Sequence, residues 1–211
     1  MAILGLQGVR GGVGTTSIAS ALAWSLQVLG ESVLVVDACP DNLLRMSFNV
    51  DFTRTEGWAR AMLDGHDWQD AGLRYTSQLD VLPFGQLSAA EKENLHSLPL
   101  SPEAVAQMVT ALAQQGRYQW IIIDLPHATT PFSRPLIAAC DTVLAVANVD
   151  ANCHIRLHQQ ALPARSEDRR VGTEGGSRWS PFHLTKQRNE FPIPSLKPTT
   201  SFTIPLSLLR T

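Results

Sequence analysis

Short apolar runs punctuate the first 163 residues, at Ile3–Leu6, Val33–Val36, Leu79–Leu82, Trp120–Ile123 and Thr142–Ala147. Each is nearly continuous, and most are rich in Val, Ile or Leu, the pattern of strands buried on both faces of a parallel sheet. Between them the period changes. "TTSIASALAWSLQVLG" (15–30) places apolar residues at helical spacing and stops at Gly30, a residue suited to a helix terminus. "SPEAVAQMVTALAQQG" (101–116) has Ser101 as a cap, Pro102 in the first turn, Glu103 near the positive helix end and Gly116 as its stop. Residues 58–75 read as a short helix and a turn, with Trp58 and Trp68 as core or helix-packing residues. Strand–helix alternation of this kind predicts a doubly wound α/β fold with a mostly parallel sheet.

The pattern lapses after Pro163. Residues 164–211 hold 5 of the 13 prolines and show no sustained period. Such a stretch cannot easily bury enough apolar surface to offset its ordering entropy, so it is expected to be disordered apart from a local strand or short helix at "FTIPLSLL". An abrupt break in composition is also what a change of reading frame produces. The expected organisation is one domain over residues 1–163 and a basic, proline-rich tail over 164–211.

Composition narrows the function classes. A chain of 211 residues, 44% apolar, can bury one substantial core. No apolar run approaches the ~18–20 residues that cross a bilayer. "MAILGLQG" lacks a basic region and cleavage site, and reads as a first strand rather than a signal peptide. Cys39, Cys140 and Cys153 show no paired spacing and are expected to be buried thiols in a reducing cytosol. His66, His127, His154 and His158 have no partners at metal-ligand spacing. A net charge of −2 argues against a nucleic-acid partner held by bulk charge. That charge is uneven: residues 1–163 carry 9 Lys+Arg against 15 Asp+Glu, and residues 164–211 carry 8 against 4. The single lysine of the first segment, Lys92, is remote in sequence from the glycine-rich stretch described next.

"GVRGGVGTTS" (8–17) lies between the first strand and the first helix. Gly11, Gly12 and Gly14 permit positive φ angles, so successive N–H groups can point into one hollow. A helix starting near Thr15–Thr16 turns its positive end to the same place, which makes an anion site with phosphate as the usual guest. Thr16 is placed to offer a hydroxyl to a phosphate-bound Mg²⁺. "VLVVDACP" and "WIIIDLP" put Asp37 and Asp124 at strand ends, where ligands of parallel sheets bind, and two carboxylates there suit water-mediated Mg²⁺ binding. The alternative is that both merely cap the loops that follow.

Residues 9–16, "VRGGVGTT", resemble the deviant Walker A motif of the MinD/ParA ATPases, commonly G-K-G-G-V-G-K-T. "VLVVDACP" resembles the D-x-D-P strand of that family and "WIIIDLP" its Walker B strand. Within the family, "GLQGVRGGVGTT", "VLVVDACPDNLLRMSFNVDF", "GWARAMLDG", "LRYTSQLDVLPFGQLS" and "VANVDANCHIRLHQQALP" are similar to a branch tied to bacterial cellulose biosynthesis, over about residues 1–163 and not in the tail. The resemblance implies a P-loop NTPase sheet, incomplete at the C-terminus, with Arg10, Gly11, Gly12, Val13, Gly14, Thr15 and Thr16 binding ATP, and Thr16, Asp37 and Asp124 at Mg²⁺. It also implies a cytoplasmic homodimer, peripheral at the inner membrane or cell pole. Its partners would be small operon-encoded proteins and the membrane-bound cellulose synthase complex, whose assembly or polar placement it would support.

Three departures limit that expectation. The signature lysine, which in relatives reaches across a dimer to the partner's nucleotide, is Arg10, which keeps the charge and can fork onto phosphate. The P-loop lysine is Thr15, and the second aspartate of D-x-D, which positions water in relatives, is Cys39. Phosphoryl transfer depends on positioning and charge neutralisation, so the chain is expected to bind ATP and to be at most a weak ATPase, with no residue assigned as catalytic. Two other readings compete. A nucleotide-free scaffold would account for Thr15 and Cys39. A Rossmann dinucleotide enzyme would use "GVGTTS" (12–17) and Asp37, although Ser17 replaces its third glycine.

Overall fold

The computed structural model of the chain describes residues 1–95 and 100–159, with side chains to Leu157. The calls on the tail, on "FTIPLSLL" and on the side chain of His158 lie outside the described residues. In chain order the elements are β1 (Ala2–Gly8), α1 (Thr15–Val28), β2 (Val33–Asp37), α2 (Trp58–Leu63), β3 (Leu73–Arg74), β4 (Leu79–Leu82), α3 (Ala89–Glu93), α4 (Pro102–Gln114), β5 (Trp120–Leu125), α5 (Arg134–Ala138), β6 (Thr142–Val146) and α6 (Ala151–Gln159). Single 3-10 turns occupy Leu44–Phe48 and Trp68–Ala71.

The strands form one sheet in the order β3-β4-β2-β5-β1-β6. Every neighbouring pair is parallel except β3 with β4. This is the doubly wound, mostly parallel sheet that the alternation of periods predicts. The five apolar runs all become strands, and the two long helical patterns become α1 and α4. The two-residue β3 and the short α3 and α5 carry too few residues to establish a period. The topology also counts against the dinucleotide-enzyme reading, which needs β2 beside β1. Here β5 lies between them.

Successive side chains of a strand point to opposite faces, and the core obeys that rule. Val33 and Val35 of β2, Ile122 of β5 and Leu6 of β1 pack with Ala19 and Ala23 of α1. Leu34 and Val36, Ile121 and Ile123, and Ile3 pack on the other face with Val105, Met108, Val109 and Leu112 of α4. The same parity carries Asp37 and Asp124 to the α1 face, because each continues the odd or even series of its strand. Parallel pairing sets Asp37 directly opposite Asp124.

Trp58 fastens the end of β2 from the other side. It is fully buried, edge-on to Phe84 with centroids 5.2 Å apart and stacked on Phe132 at 5.9 Å. Its indole Nε1 donates to the Asp37 carbonyl at 2.7 Å. At the amino ends of the strands, buried Asp80 accepts from Arg74 at 3.0 Å, Arg117 at 2.7 Å and the Tyr118 hydroxyl at 2.7 Å. A cavity of about 490 Å³ opens beside this group.

Trp58→Ala should lower unfolding free energy by about 3–5 kcal/mol, the scale for emptying a buried aromatic site. Trp58→Phe keeps most of the packing and should cost less, about 1 kcal/mol for the lost hydrogen bond. Urea denaturation followed by circular dichroism measures both. Equal stability of Trp58→Ala and the parent chain would contradict the packing described.

Candidate functional site

The loop that links β1 to α1 is shaped by its glycines. Gly12 and Gly14 adopt φ of 78° and 85°, in the left-handed region. Gly11 does not, so two of the three glycines expected to use that freedom do so. Gly8 is needed for space: a β-carbon there would sit 2.6 Å from Thr15 Oγ1 and 2.8 Å from the Arg10 carbonyl oxygen. Val13 is buried in the α1-side core, so only its backbone can face the hollow.

Helix α1 begins without a side-chain cap and without an acidic residue in its first turn. Helices α3 and α4, by contrast, are capped by Ser88 and Ser101. The first backbone N–H groups of a helix have no intrahelical acceptor, so those of α1 remain available to an outside anion.

Asp124 lies beside the Thr16 hydroxyl at this helix end, and Asp37 lies against Asp124. The ligand atoms of Asp37, Cys39 and Asp124 all lie within 4.8 Å of one another. The two carboxylates are used differently. Asp37 accepts the Cys39 N–H at 2.9 Å on one oxygen and the Leu44 N–H at 3.0 Å on the other, which pins the loop after β2. Asp37 therefore does cap the loop that follows it, as the alternative expects, while one acceptor site on each oxygen stays open. Asp124 caps no loop: it is buried, and neither oxygen closes a hydrogen bond.

The electrostatics follow from that placement. Burial, reinforced by the Asp124 charge, pushes Asp37 up to about 8. Burial raises Asp124 to about 6, while the nearby Thr16 hydroxyl pulls it back without closing a hydrogen bond. Burial also drives the Cys39 thiol upward, with Asp124 and Asp37 adding to the effect. Cys39 is a neutral group here.

Arg10 folds back within its own chain. Its guanidinium donates to Asp150 at 2.8 Å and to the Gly11 carbonyl at 3.1 Å. The other Asp150 oxygen accepts the Cys153 N–H at 2.7 Å and so caps the start of α6. Asp150 was not singled out from the sequence, although an aspartate just before a helical stretch is a legible capping signal. Among the described residues His66, His127 and His154 are exposed and join no metal-ligand group. All three cysteines are free.

The structure thus brings Thr16, Asp37 and Asp124 to one place beside the glycine loop. Comparison with known proteins bears on the family and the fold. The family profile described as "Cellulose biosynthesis protein BcsQ" matches residues 1–167. Cellulose biosynthesis protein BcsQ of Salmonella typhimurium is 59% identical over 197 residues, covering 92% of this chain and 79% of that protein. Coverage of 92% extends past Pro163, so the similarity runs further into the tail than the quoted motifs suggest, whereas the family profile stops at residue 167. Among solved structures, a Mycobacterium smegmatis cobyrinic acid a,c-diamide synthase with bound ATP analogue and magnesium superposes with TM-score 0.58 at 22% identity, covering 76% of this chain and 67% of that one. The septum site-determining protein MinD of Pyrococcus horikoshii, complexed with Mg-ADP, gives 0.59 at 20%, covering 74% and 61%. These two likenesses establish the fold.

Asp37 and Asp124 each hold a proton more tightly folded than at their ordinary value of 3.8. The folded state therefore binds more protons across that window, and stability should fall as pH rises from about 5 to about 8 in metal-free buffer. Asp124→Asn removes one of the two charges and should flatten the dependence. Melting temperatures of both proteins against pH measure the effect. Parallel curves would refute the assignment.

Proposed function

The chain belongs to the cellulose biosynthesis protein BcsQ family, and on that premise we propose that it retains ATP and Mg²⁺ without rapid hydrolysis, as an accessory to bacterial cellulose synthesis. The observation that carries this reading is Asp124, a buried carboxylate whose oxygens close no hydrogen bond, beside the Thr16 hydroxyl at an uncapped helix N-terminus after a glycine loop. Such a group fits a cation held between carboxylates and phosphates.

Each residue has a part in holding the ligand. Backbone N–H groups from Gly11 to Thr16 receive the phosphates, and the hydroxyl of Thr16 and the oxygens of Asp37 and Asp124 face the cation, directly or through water. Bound there, Mg²⁺ supplies positive charge that offsets both the phosphates and the paired carboxylates. Arg10 supplies the remaining cation of the loop once it turns from Asp150, in a homodimer closed over the nucleotide.

The same residues account for slow turnover. Thr15 brings no charge to the phosphates, and Cys39 is a neutral thiol that neither orients nor deprotonates water well. Stabilisation of developing charge is the main lever of phosphoryl transfer, so these two positions weaken chemistry more than binding. The nucleotide then acts as a structural or switching ligand. In this reading the dimer works in the cytoplasm, at the inner membrane or cell pole, with small operon-encoded proteins and the membrane-bound cellulose synthase complex. No described helix is long and apolar enough to cross a membrane.

One observation favours a nucleotide-free scaffold instead. Arg10 is already ion-paired with Asp150, so its charge is offset without a phosphate. Equilibrium binding of labelled ATP, with and without Mg²⁺, separates the two. We expect Mg²⁺-dependent binding that Thr16→Ala and Asp124→Asn weaken, with slow release of phosphate. The double variant Thr15→Lys, Cys39→Asp should raise kcat by about 100-fold or more, the scale of restoring transition-state charge stabilisation. Absence of ATP binding would favour the scaffold. Parent turnover as fast as the double variant would overturn the slow-hydrolysis reading.

A further inference from the structure

We infer that the group formed by Asp37, Cys39 and Asp124 binds a thiophilic divalent cation of the Zn²⁺ or Cd²⁺ class in the nucleotide-free protein, in preference to Mg²⁺. The inference deepens the reading above and rests on it in sharing two carboxylates, while requiring no nucleotide.

The donor set is the reason. Mg²⁺ favours oxygen ligands in near-octahedral geometry, whereas thiolate sulfur selects softer ions. Cys39 places sulfur within 4.8 Å of two carboxylates. A tetrahedral Zn²⁺ has bonds of ~2.3 Å to sulfur and ~2.0–2.2 Å to carboxylate oxygen, so the three donors need to close slightly on the ion. Cys39 is only partly buried and its sulfur turns about a single torsion, so it is the donor free to close.

Asp124 is the independent pointer to a ligand. It is 1% exposed, both its oxygens lack a partner, and it lies among the other two donors. Asp37 spends one acceptor site of each oxygen on a backbone N–H and keeps the others. The sulfur's present contact is slight, 3.6 Å from the Asp124 carbonyl oxygen. Binding breaks the Cys39 S–H bond. The proton leaves to solvent, the sulfur electron pair forms the bond to the cation, and no electrons are gained or lost. Three protein donors leave a fourth position for water.

The test titrates the full-length, nucleotide-free protein with Cd²⁺, Zn²⁺ or Mg²⁺ alone, by calorimetry and by the ultraviolet sulfur-to-cadmium charge-transfer band. One Cd²⁺ per chain is expected, with the band present and with tighter binding than Mg²⁺. Loss of an outer-shell support alone costs 10–100-fold in metal affinity, so loss of a direct ligand in Cys39→Ser should weaken Cd²⁺ by about 100-fold or more and abolish the band. Cys140→Ser should keep both. Cys39→Asp should lose the band and narrow the gap between Cd²⁺ and Mg²⁺, which serves if the serine variant melts early. A Cys39→Ser titration like the parent's, or Mg²⁺ binding as tight as Cd²⁺, would overturn the inference. Mg²⁺–ATP binding is measured separately on the parent chain. Its failure beside intact Cd²⁺ binding removes only the nucleotide reading, and the reverse result removes only this one.

Discussion

Two carboxylates side by side in a dry site cannot both carry their charge at low energetic cost. Parallel register and the two-residue period of strands leave Asp37 and Asp124 no other arrangement, since each follows apolar residues that the core holds in place. The pair must therefore be relieved by protons or by a cation. Asp37 is partly compensated by the N–H groups of Cys39 and Leu44, and Asp124 more weakly by the nearby Thr16 hydroxyl. The site's demand for positive charge is shared by both residues, each of which burial holds above its ordinary range.

The neighbouring loop is complementary in sign. Gly12 and Gly14 take left-handed turns, α1 starts with neither a cap nor an acid, and Arg10 pairs with Asp150. Donors for an anion thus lie beside acceptors for a cation, which is the arrangement that a metal–phosphate pair fits. What the loop lacks is a mobile cation at position 15. A cradle built from backbone groups can hold charge that is already present, and it responds little to charge that grows during reaction.

Much of this was legible in the sequence, for identifiable reasons. Buried strands announce themselves by unbroken apolar runs, and Asp37 and Asp124 stand out because each interrupts such a run. The glycine loop was legible from its spacing, yet the spacing did not say which glycines turn left-handed. Asp150 was harder, because its tie to Arg10 spans 140 positions and no local pattern encodes a partner that distant. The separate uses of Asp37 and Asp124 were not legible at all. They depend on where the backbone N–H groups of residues 39 and 44 fall after folding.

Strands β1 and β2 are consecutive in the chain and yet not neighbours, because β5 is inserted between them. During synthesis this fixes an order of events. A nascent chain that has emerged as far as α4 already carries the complete glycine loop and Asp37, but β1 has neither of its neighbours and β2 has only β4 until residues 120–125 are added. Contacts of such long sequence separation form late and slowly. The paired carboxylates therefore come together only once the sheet's middle has closed, and an unfinished chain has no glycine loop set beside them.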